Sequence, residues 1–228
     1  MEELWYGLVR AVQLIVSLDP EVMEITGRSL SISVTSTLLS ALFCLPLGSV
    51  IHFYRFPARR MVISLIQTFY SVPTVVVGLL VFVLFSRAGP LGGTGLLFTP
   101  TVMVIGQMLL IAPVLVGLTI SGLSGVDRAI SDTARSLGAS AFQTAVAVIR
   151  EARFAVMAAL IMAFGRAISE VGLAIMVGGN IRGFTRVLTT AISLETSKGD
   201  IELSLALGII LVAIALSINL ALNRIQQR

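Results

Sequence analysis

The sequence has little charge and few of the side chains that enzymes commonly use for catalysis. Charged residues make up 12% of the 228 residues, roughly half the share that is usual in a soluble domain, whereas hydrophobic residues make up 56%. The mean hydropathy is +0.98. A composition this apolar excludes an ordinary soluble domain and predicts a polytopic membrane protein.

The chain also lacks the residue clusters that bind metals or form disulfides. Cys44 is the single cysteine, so no disulfide can form within the chain, and His52 is the single histidine. The motifs H-E-x-x-H, G-x-S-x-G and G-K-[ST] do not occur. We therefore expect no catalytic residue, no metal, no cofactor and no nucleotide-binding loop, and we predict that the chain is not itself an enzyme.

Long apolar runs dominate what is present. Five runs of about 22 to 25 residues are each long enough to cross a hydrocarbon core of about 30 Å as a helix. They cover roughly residues 30–54, 61–85, 101–123, 154–177 and 201–222. Residues 19–228 are therefore predicted to form one all-α membrane domain.

The first 18 residues are apolar and amphipathic, but Arg10 and Gln13 interrupt them. We predict that residues 1–18 form an interfacial helix on the outer membrane surface. A shortened span is the alternative.

Basic residues in the short loops indicate the orientation of the spans. They occur between spans one and two, between spans three and four, and after span five, whereas the remaining loops mix both signs. These basic residues are Arg55, Arg59, Arg60, Arg128, Arg135, Arg150, Arg153, Arg224 and Arg228. The pattern predicts that all three regions, and hence the C-terminus, are cytoplasmic. It also explains the net charge of +4 without nucleic-acid binding.

The longest polar segment lies in the predicted cytoplasmic loop 124–153. Gly138 can adopt the left-handed conformation and end a first short helix, and Ser140 can cap a second one. Two short amphipathic helices joined at a glycine form a compact unit, and we expect this unit to bind a partner.

The fourth span contains the charges inside the membrane. Arg166 and Glu170 are four residues apart, which places both on one face of a continuous helix. Arg166 lies about 18 Å from Phe154 along the helix axis, near the middle of the membrane. Charges at this depth are costly, so they should pair or face a wet cavity. A structural ion pair and a constriction of a transport pathway both fit this pattern.

The loop resembles a motif of binding-protein-dependent ABC transporter permeases. Asp-Thr-Ala-x-x-x-Gly at residues 132–138 is similar to the E-A-A-x-x-x-G signature of that family. The resemblance implies that Asp132, Thr133, Ala134 and Gly138 contact a separate ATP-hydrolysing subunit. Asp132 replaces the family Glu, Thr133 replaces the first Ala, and Glu151 replaces a later Pro, so the bend before the fourth span has no proline to form it.

A second resemblance narrows the family. The segment Ala-Phe-Gly-Arg-Ala-Ile-Ser-Glu-Val-Gly at residues 163–172 resembles the span-four motif of molybdate and tungstate permeases. Residues 71–78 and 87–92 also look like the tungstate type, and the likeness extends from about Asp19 onward. It implies the fold of an ABC importer permease with a five-span core, in a prokaryotic inner membrane.

The resemblance also implies function and partners. Two copies would form a homodimer with the pathway between them, and Arg166, Ser169 and Glu170 would be pathway residues. Two ATPase subunits would bind inside, and an extracytoplasmic binding protein would deliver an oxyanion, tungstate first and molybdate next.

Two other classes of function compete with this interpretation. An ion-gradient-driven secondary carrier would need its own coupling-ion site and often an inverted repeat, but the sequence shows no repeat. A membrane enzyme is opposed by the missing catalytic constellation.

Overall fold

The computed structural model describes residues 2–226, and this part of the chain is all-α, as predicted: it contains eleven α-helices and no strand. The helices are α1 (Glu2–Val16), α2 (Pro20–Phe53), α3 (Arg59–Thr68), α4 (Thr74–Phe85), α5 (Pro100–Ser124), α6 (Arg128–Ser136), α7 (Ala141–Glu151), α8 (Arg153–Ile168), α9 (Gly172–Gly178), α10 (Leu188–Lys198) and α11 (Ile201–Gln226).

Three helices are long and apolar enough to cross a membrane by themselves: α2, α5 and the Ile201–Ala221 part of α11. α2 has 34 residues, or about 51 Å of helix, and starts about ten residues before the predicted span. The Asp19 carboxylate caps it by accepting the Val22 N–H at 3.0 Å. Pro46 and Pro113 lie inside α2 and α5, and both helices continue through them.

The other two predicted spans are each broken into two helices. The run 61–85 becomes α3, a 3₁₀ turn at Phe69–Ser71 and α4, with a bend of 96°. The run 154–177 becomes α8 and α9, with a bend of 58°. A total of five spans is reached only if each bent pair crosses the membrane once, and that count remains a prediction.

The two breaks have different local causes. Pro73 has no N–H to continue a helix, and its ring disfavours the helical conformation at the preceding residue. Val72 is accordingly extended, with φ −65° and ψ 126°. The segment from Ser169 to Val171 contains no proline. There the change of direction depends on contacts with other helices.

One end of the helix bundle contains the predicted cytoplasmic loops. Leu123 at the end of α5 packs with Val148 of α7 and with Ala152 between α7 and α8, and Phe53 at the end of α2 joins this cluster. The loops 54–58 and 125–152 therefore lie at the same end, as the distribution of arginines predicted. At Ala152 the chain passes from α7 to α8 without a proline.

Ion pairs join the elements at the opposite end. The guanidinium of Arg182 donates to both oxygens of Glu21, at 3.0 and 2.6 Å, and Arg186 lies 3.5 Å from the same carboxylate. Arg28 also donates to the Arg186 carbonyl at 3.0 Å. These contacts attach the segment between α9 and α10 to the first turns of α2.

The first helix packs on α11. Ala11 and Leu14 are buried with Ala206 and Leu207, and Gly7 leaves room for Leu205. Residues 2–16 are therefore helical, as predicted. Their placement along the outer membrane surface remains a prediction.

Candidate functional site

The loop between α5 and α8 forms the predicted pair of short helices. α6 ends at Ser136, and Gly138 has φ +83°, in the left-handed region. The Ser140 hydroxyl accepts the Gln143 N–H, and the Gln143 side chain accepts the Ser140 N–H at 2.8 Å, which completes a capping box. We call this unit, residues 128–151, the knob.

The knob presents apolar side chains that the sequence analysis did not single out as a surface. Leu137 is 82% exposed and Phe142 is 78% exposed, on either side of Gly138. α7 buries Thr144 and Val148 and leaves Phe142 and Ile149 exposed. Asp132, Thr133 and Gly138 are exposed and Ala134 is half-buried, so the predicted coupling residues lie on or near the knob surface.

The break between α8 and α9 contains the other predicted site residues. Where a helix stops, backbone carbonyls lose their partners, and inside a membrane other groups must satisfy them. The Gln107 amide from α5 donates to the Ala167 carbonyl at 3.1 Å, and the Thr189 hydroxyl from α10 donates to the Glu170 carbonyl at 2.8 Å. Gln107 in turn accepts the Ser36 hydroxyl of α2 at 2.7 Å. Three other helices therefore hold this break in place.

Glu170 caps the helix that follows the break. Its carboxylate accepts the Leu173 N–H at 2.9 Å, and the residue is only 6% exposed. A negative charge at this position also interacts favourably with the positive end of the helix dipole. Beside it is a cavity of about 10 Å³, lined by polar groups that include Ser33, Gln107 and Thr189. This volume corresponds to about one water molecule.

The predicted pair of Arg166 and Glu170 does not form. α8 ends at Ile168, so the helical spacing that would place both side chains on one face stops before Glu170. Among the side chains of residues 5–221, the Arg166 guanidinium makes no ion pair and no hydrogen bond, and its Nε is buried without a partner. The carboxylate is satisfied inside the protomer, whereas the cation is not.

Arg166 and Ser169 lie on a different side of the break from Glu170. Met162, Arg166 and Ser169 follow the spacing of one helical face, on which Met162 and Ser169 are exposed and Arg166 is partly exposed. The Ser169 hydroxyl donates to the Arg166 carbonyl at 3.3 Å. Two of the three predicted pathway residues, Arg166 and Ser169, thus lie on one outer face, whereas Glu170 lies in the protein interior.

The break between α3 and α4 lies directly against this site. A β-carbon at Gly172 would lie 3.0 Å from Val75 Cγ2 and 3.5 Å from the Thr74 hydroxyl oxygen. One turn later, a β-carbon at Gly78 would lie 3.0 Å from Leu173 Cα. The starts of α4 and α9 therefore pack side by side, and glycines permit the close approach.

Comparisons with known proteins agree with this architecture. The chain is 39% identical over 227 residues to a tungstate uptake permease of Peptoclostridium acidaminophilum, with 100% of both chains covered. It is 43% identical over 211 residues to a probable anion ABC transporter permease of Haloferax volcanii, covering 90% of this chain and 91% of the relative. A tungstate uptake permease of Campylobacter jejuni is 34% identical over 227 residues, covering 100% and 95%.

Solved structures show the same fold at low sequence identity. An inward-facing methionine ABC transporter matches with a TM-score of 0.75 at 17% identity, covering 92% of this chain and 97% of that one. A bacterial alginate ABC transporter matches with a TM-score of 0.76 at 18% identity, covering 94% and 82%. Residues 44–228 match the family described as binding-protein-dependent transport system inner membrane component. The chain is a multi-pass membrane protein that belongs to this family.

Proposed function

We propose that this protein is the permease subunit of an ATP-driven importer for a tetrahedral oxyanion, with tungstate as the first candidate and molybdate as the next. The observation that carries the proposal is the unpartnered guanidinium of Arg166 beside a helix break. Full-length relatives named as tungstate uptake permeases support the choice of ion.

An arginine in this position suits the passage of an oxyanion. A doubly charged ion entering a low-dielectric region is strongly disfavoured unless a cation or water compensates it. A guanidinium matches the spacing of tetrahedral oxygens and is less strongly hydrated than an ammonium group. Because no carboxylate among the side chains of residues 5–221 forms an ion pair with Arg166, its charge is available to the ion.

The pathway in this proposal runs between two copies of the chain. On an outer face of the protomer, Ser169 is exposed and Arg166 is partly exposed, so a single copy covers them incompletely. A homodimer encloses them between the copies, away from lipid. Glu170 braces the pathway from inside the protomer by fixing the start of α9.

In this proposal the knob lies on the cytoplasmic side of the membrane and binds a separate ATPase subunit. Asp132, Thr133, Ala134 and Gly138 carry the motif resemblance, and we add Leu137 and Phe142 as apolar anchors. Interface energy is usually concentrated in a few side chains that become fully buried on binding, and these two are the most exposed apolar side chains of the knob. ATP hydrolysis belongs to the partner, and this chain transmits the resulting movement through α7 and α8.

The orientation predicted from the basic residues assigns the two ends of the helix bundle to the two sides of the membrane. The end with the knob and the C-terminus face the cytoplasm of a prokaryotic cell. The end with the Glu21–Arg182 pair faces outward, where an extracytoplasmic binding protein delivers the ion.

Uptake in proteoliposomes tests the proposal against the secondary carrier. The permease is reconstituted with its ATPase subunit and binding protein, and tungstate uptake is measured with ATP inside, without an ion gradient. We expect uptake that stops when ATP is withheld. Uptake driven by a proton or sodium gradient without ATP would establish the carrier instead.

The role of Gly138 can be tested at a single position. Gly138→Val should cost about 1 kcal/mol or more in local conformation, because a β-branched residue is poorly tolerated at positive φ. We expect reduced binding and stimulation of the ATPase with normal membrane insertion. Gly138→Asn is the matched control, because asparagine accepts the left-handed region. Equal ATPase stimulation in the two variants would contradict the assignment.

Substitution of Arg166 should mainly affect transport, whereas substitution of Glu170 should mainly affect stability. Arg166→Gln should lower tungstate transport about tenfold or more, since hydrogen bonds to charged groups contribute about 1.5–3 kcal/mol, and should barely change stability because no partner is lost. Glu170→Leu should lower the free energy of unfolding by about 1–3 kcal/mol, because the buried Leu173 N–H loses its acceptor.

The double variant provides the control for these two changes. Their effects on unfolding should add to within about 0.5 kcal/mol, as expected for side chains that do not interact. A larger coupling energy would mean that the two side chains interact, and it would contradict the absence of an ion pair between them.

A further inference from the structure

The cavity beside Glu170 is bordered only by buried residues. Nine residues line it, and none of them is more than 7% exposed. Its volume of about 10 Å³ accommodates one particle of the size of a water molecule. Arg166 and Ser169 are not among the lining residues. An occupant of this cavity is therefore held inside the protomer, away from the pathway proposed on its outer face.

Oxygen atoms predominate in the polar lining of the cavity. Five of the nine residues have a side-chain oxygen: Ser29, Ser33, Gln107, Glu170 and Thr189. The Ser29 hydroxyl already donates its hydrogen to the Ile25 carbonyl at 2.7 Å, and the Thr189 hydroxyl donates to the Glu170 carbonyl at 2.8 Å. Because a hydroxyl has one hydrogen to donate, both groups can offer an occupant only oxygen lone pairs.

Ser33 and Glu170 have capacity for further contacts. The Ser33 hydroxyl makes no hydrogen bond to the described part of the chain, although the residue is only 2% exposed. The Glu170 carboxylate accepts one hydrogen bond, from the Leu173 N–H, whereas a carboxylate can accept about four. Buried polar side chains are normally hydrogen-bonded, so these two indicate that a polar or charged particle occupies the cavity that both of them line.

The charge around the cavity favours a cation. Glu170 is 6% exposed, and none of the ion pairs formed by the side chains of residues 5–221 includes it. Ala167 and Ile168, at the C-terminal end of α8, also line the cavity and add the negative end of a helix dipole. A buried carboxylate is strongly disfavoured unless a cation or several hydrogen bonds compensate its charge. The Leu173 N–H provides only one such hydrogen bond.

We propose that this cavity binds one sodium ion. A monovalent cation balances the single carboxylate, whereas calcium prefers about six to eight oxygen ligands, several of them commonly carboxylates. Oxygen atoms at the C-terminal end of a broken helix also coordinate sodium in other membrane transporters. The sequence gives no sign of the site, because one carboxylate and several neutral oxygens from distant helices form no recognisable motif.

The ion is a resident part of the protomer in this inference and is not transported. The lining oxygens come from α2, α5 and α10 and from the break between α8 and α9, so one ion joins all four. Removing sodium should therefore loosen the break and lower the thermal stability of the chain, with or without an oxyanion. The inference does not depend on which ion the permease transports.

Thermal unfolding of the full-length permease in detergent tests the site without tungstate or an ATPase subunit. Cys44 is the single cysteine and is 6% exposed, so a thiol-reactive dye reports when the chain unfolds. At a sodium chloride concentration of about ten times the dissociation constant, we expect a midpoint temperature about 3–6 °C higher than in N-methylglucamine chloride of equal concentration. Equilibrium binding of radioactive sodium should saturate at a single ion for each chain.

Three variants locate the ion. Glu170→Gln removes the charge but keeps an oxygen for the Leu173 N–H, and it should abolish the sodium-dependent rise. Ser33→Ala should raise the sodium concentration needed for half-maximal stabilisation about tenfold, since it removes one contact with a charged group. Ser40→Ala is the matched control and should keep the wild-type response. Ser40 also lies in α2, is 2% exposed and has a hydroxyl without a partner, but it does not line the cavity.

The possible outcomes separate this inference from the proposed function. Equal midpoint temperatures of the wild-type chain in the two salts, without bound radioactive sodium, would mean that the cavity holds only water and would overturn the inference. A rise that is unchanged in Ser33→Ala would place the ion elsewhere and also overturn it, even if Glu170→Gln fails to fold. Neither result bears on ATP-driven uptake of tungstate, which is measured separately in proteoliposomes.

Discussion

The structure depends on satisfying backbone groups where a helix stops inside the membrane. A buried carbonyl or N–H without a partner costs several kcal/mol in hydrocarbon. At the end of α8, Gln107 and Thr189 donate to two carbonyls, of which Ala167 also accepts the Glu170 N–H, and the Glu170 carboxylate satisfies the Leu173 N–H. α2 contributes through Ser36, which holds Gln107. The helices that form the core of the protomer therefore also fix the shape of the break.

This arrangement gives the two charged residues of the break different tasks. Glu170 caps α9 inside the protomer, and it makes no ion pair with Arg166. Arg166 remains on the outer face without a partner. A continuous helix would have paired the two side chains one turn apart and cancelled the charge. In the proposed mechanism, breaking the helix thus keeps a cation available to an oxyanion near mid-membrane.

Local signals in the sequence predicted some of these features and could not predict others. The conformation of Gly138 and the cap at Ser140 depend on residues within one or two turns, and both were predicted. Pro73 is a local cause of the break between α3 and α4, although Tyr70, just before the break, also packs against α5. Nothing local marked the break at Ser169–Val171. The contacts that hold it come from Gln107 and Thr189, 60 and 19 residues away from their acceptors, and no periodicity reveals such pairs.

Locating the ion would test the central claim most directly. Tungsten scatters X-rays anomalously, so crystals of the assembled transporter with tungstate, measured at a tungsten absorption edge, would show its position in an anomalous difference map. The account predicts a peak between the two copies, within hydrogen-bonding distance of the Arg166 guanidinium and next to Ser169. A peak in the membrane region that is remote from Arg166 in both copies would contradict it.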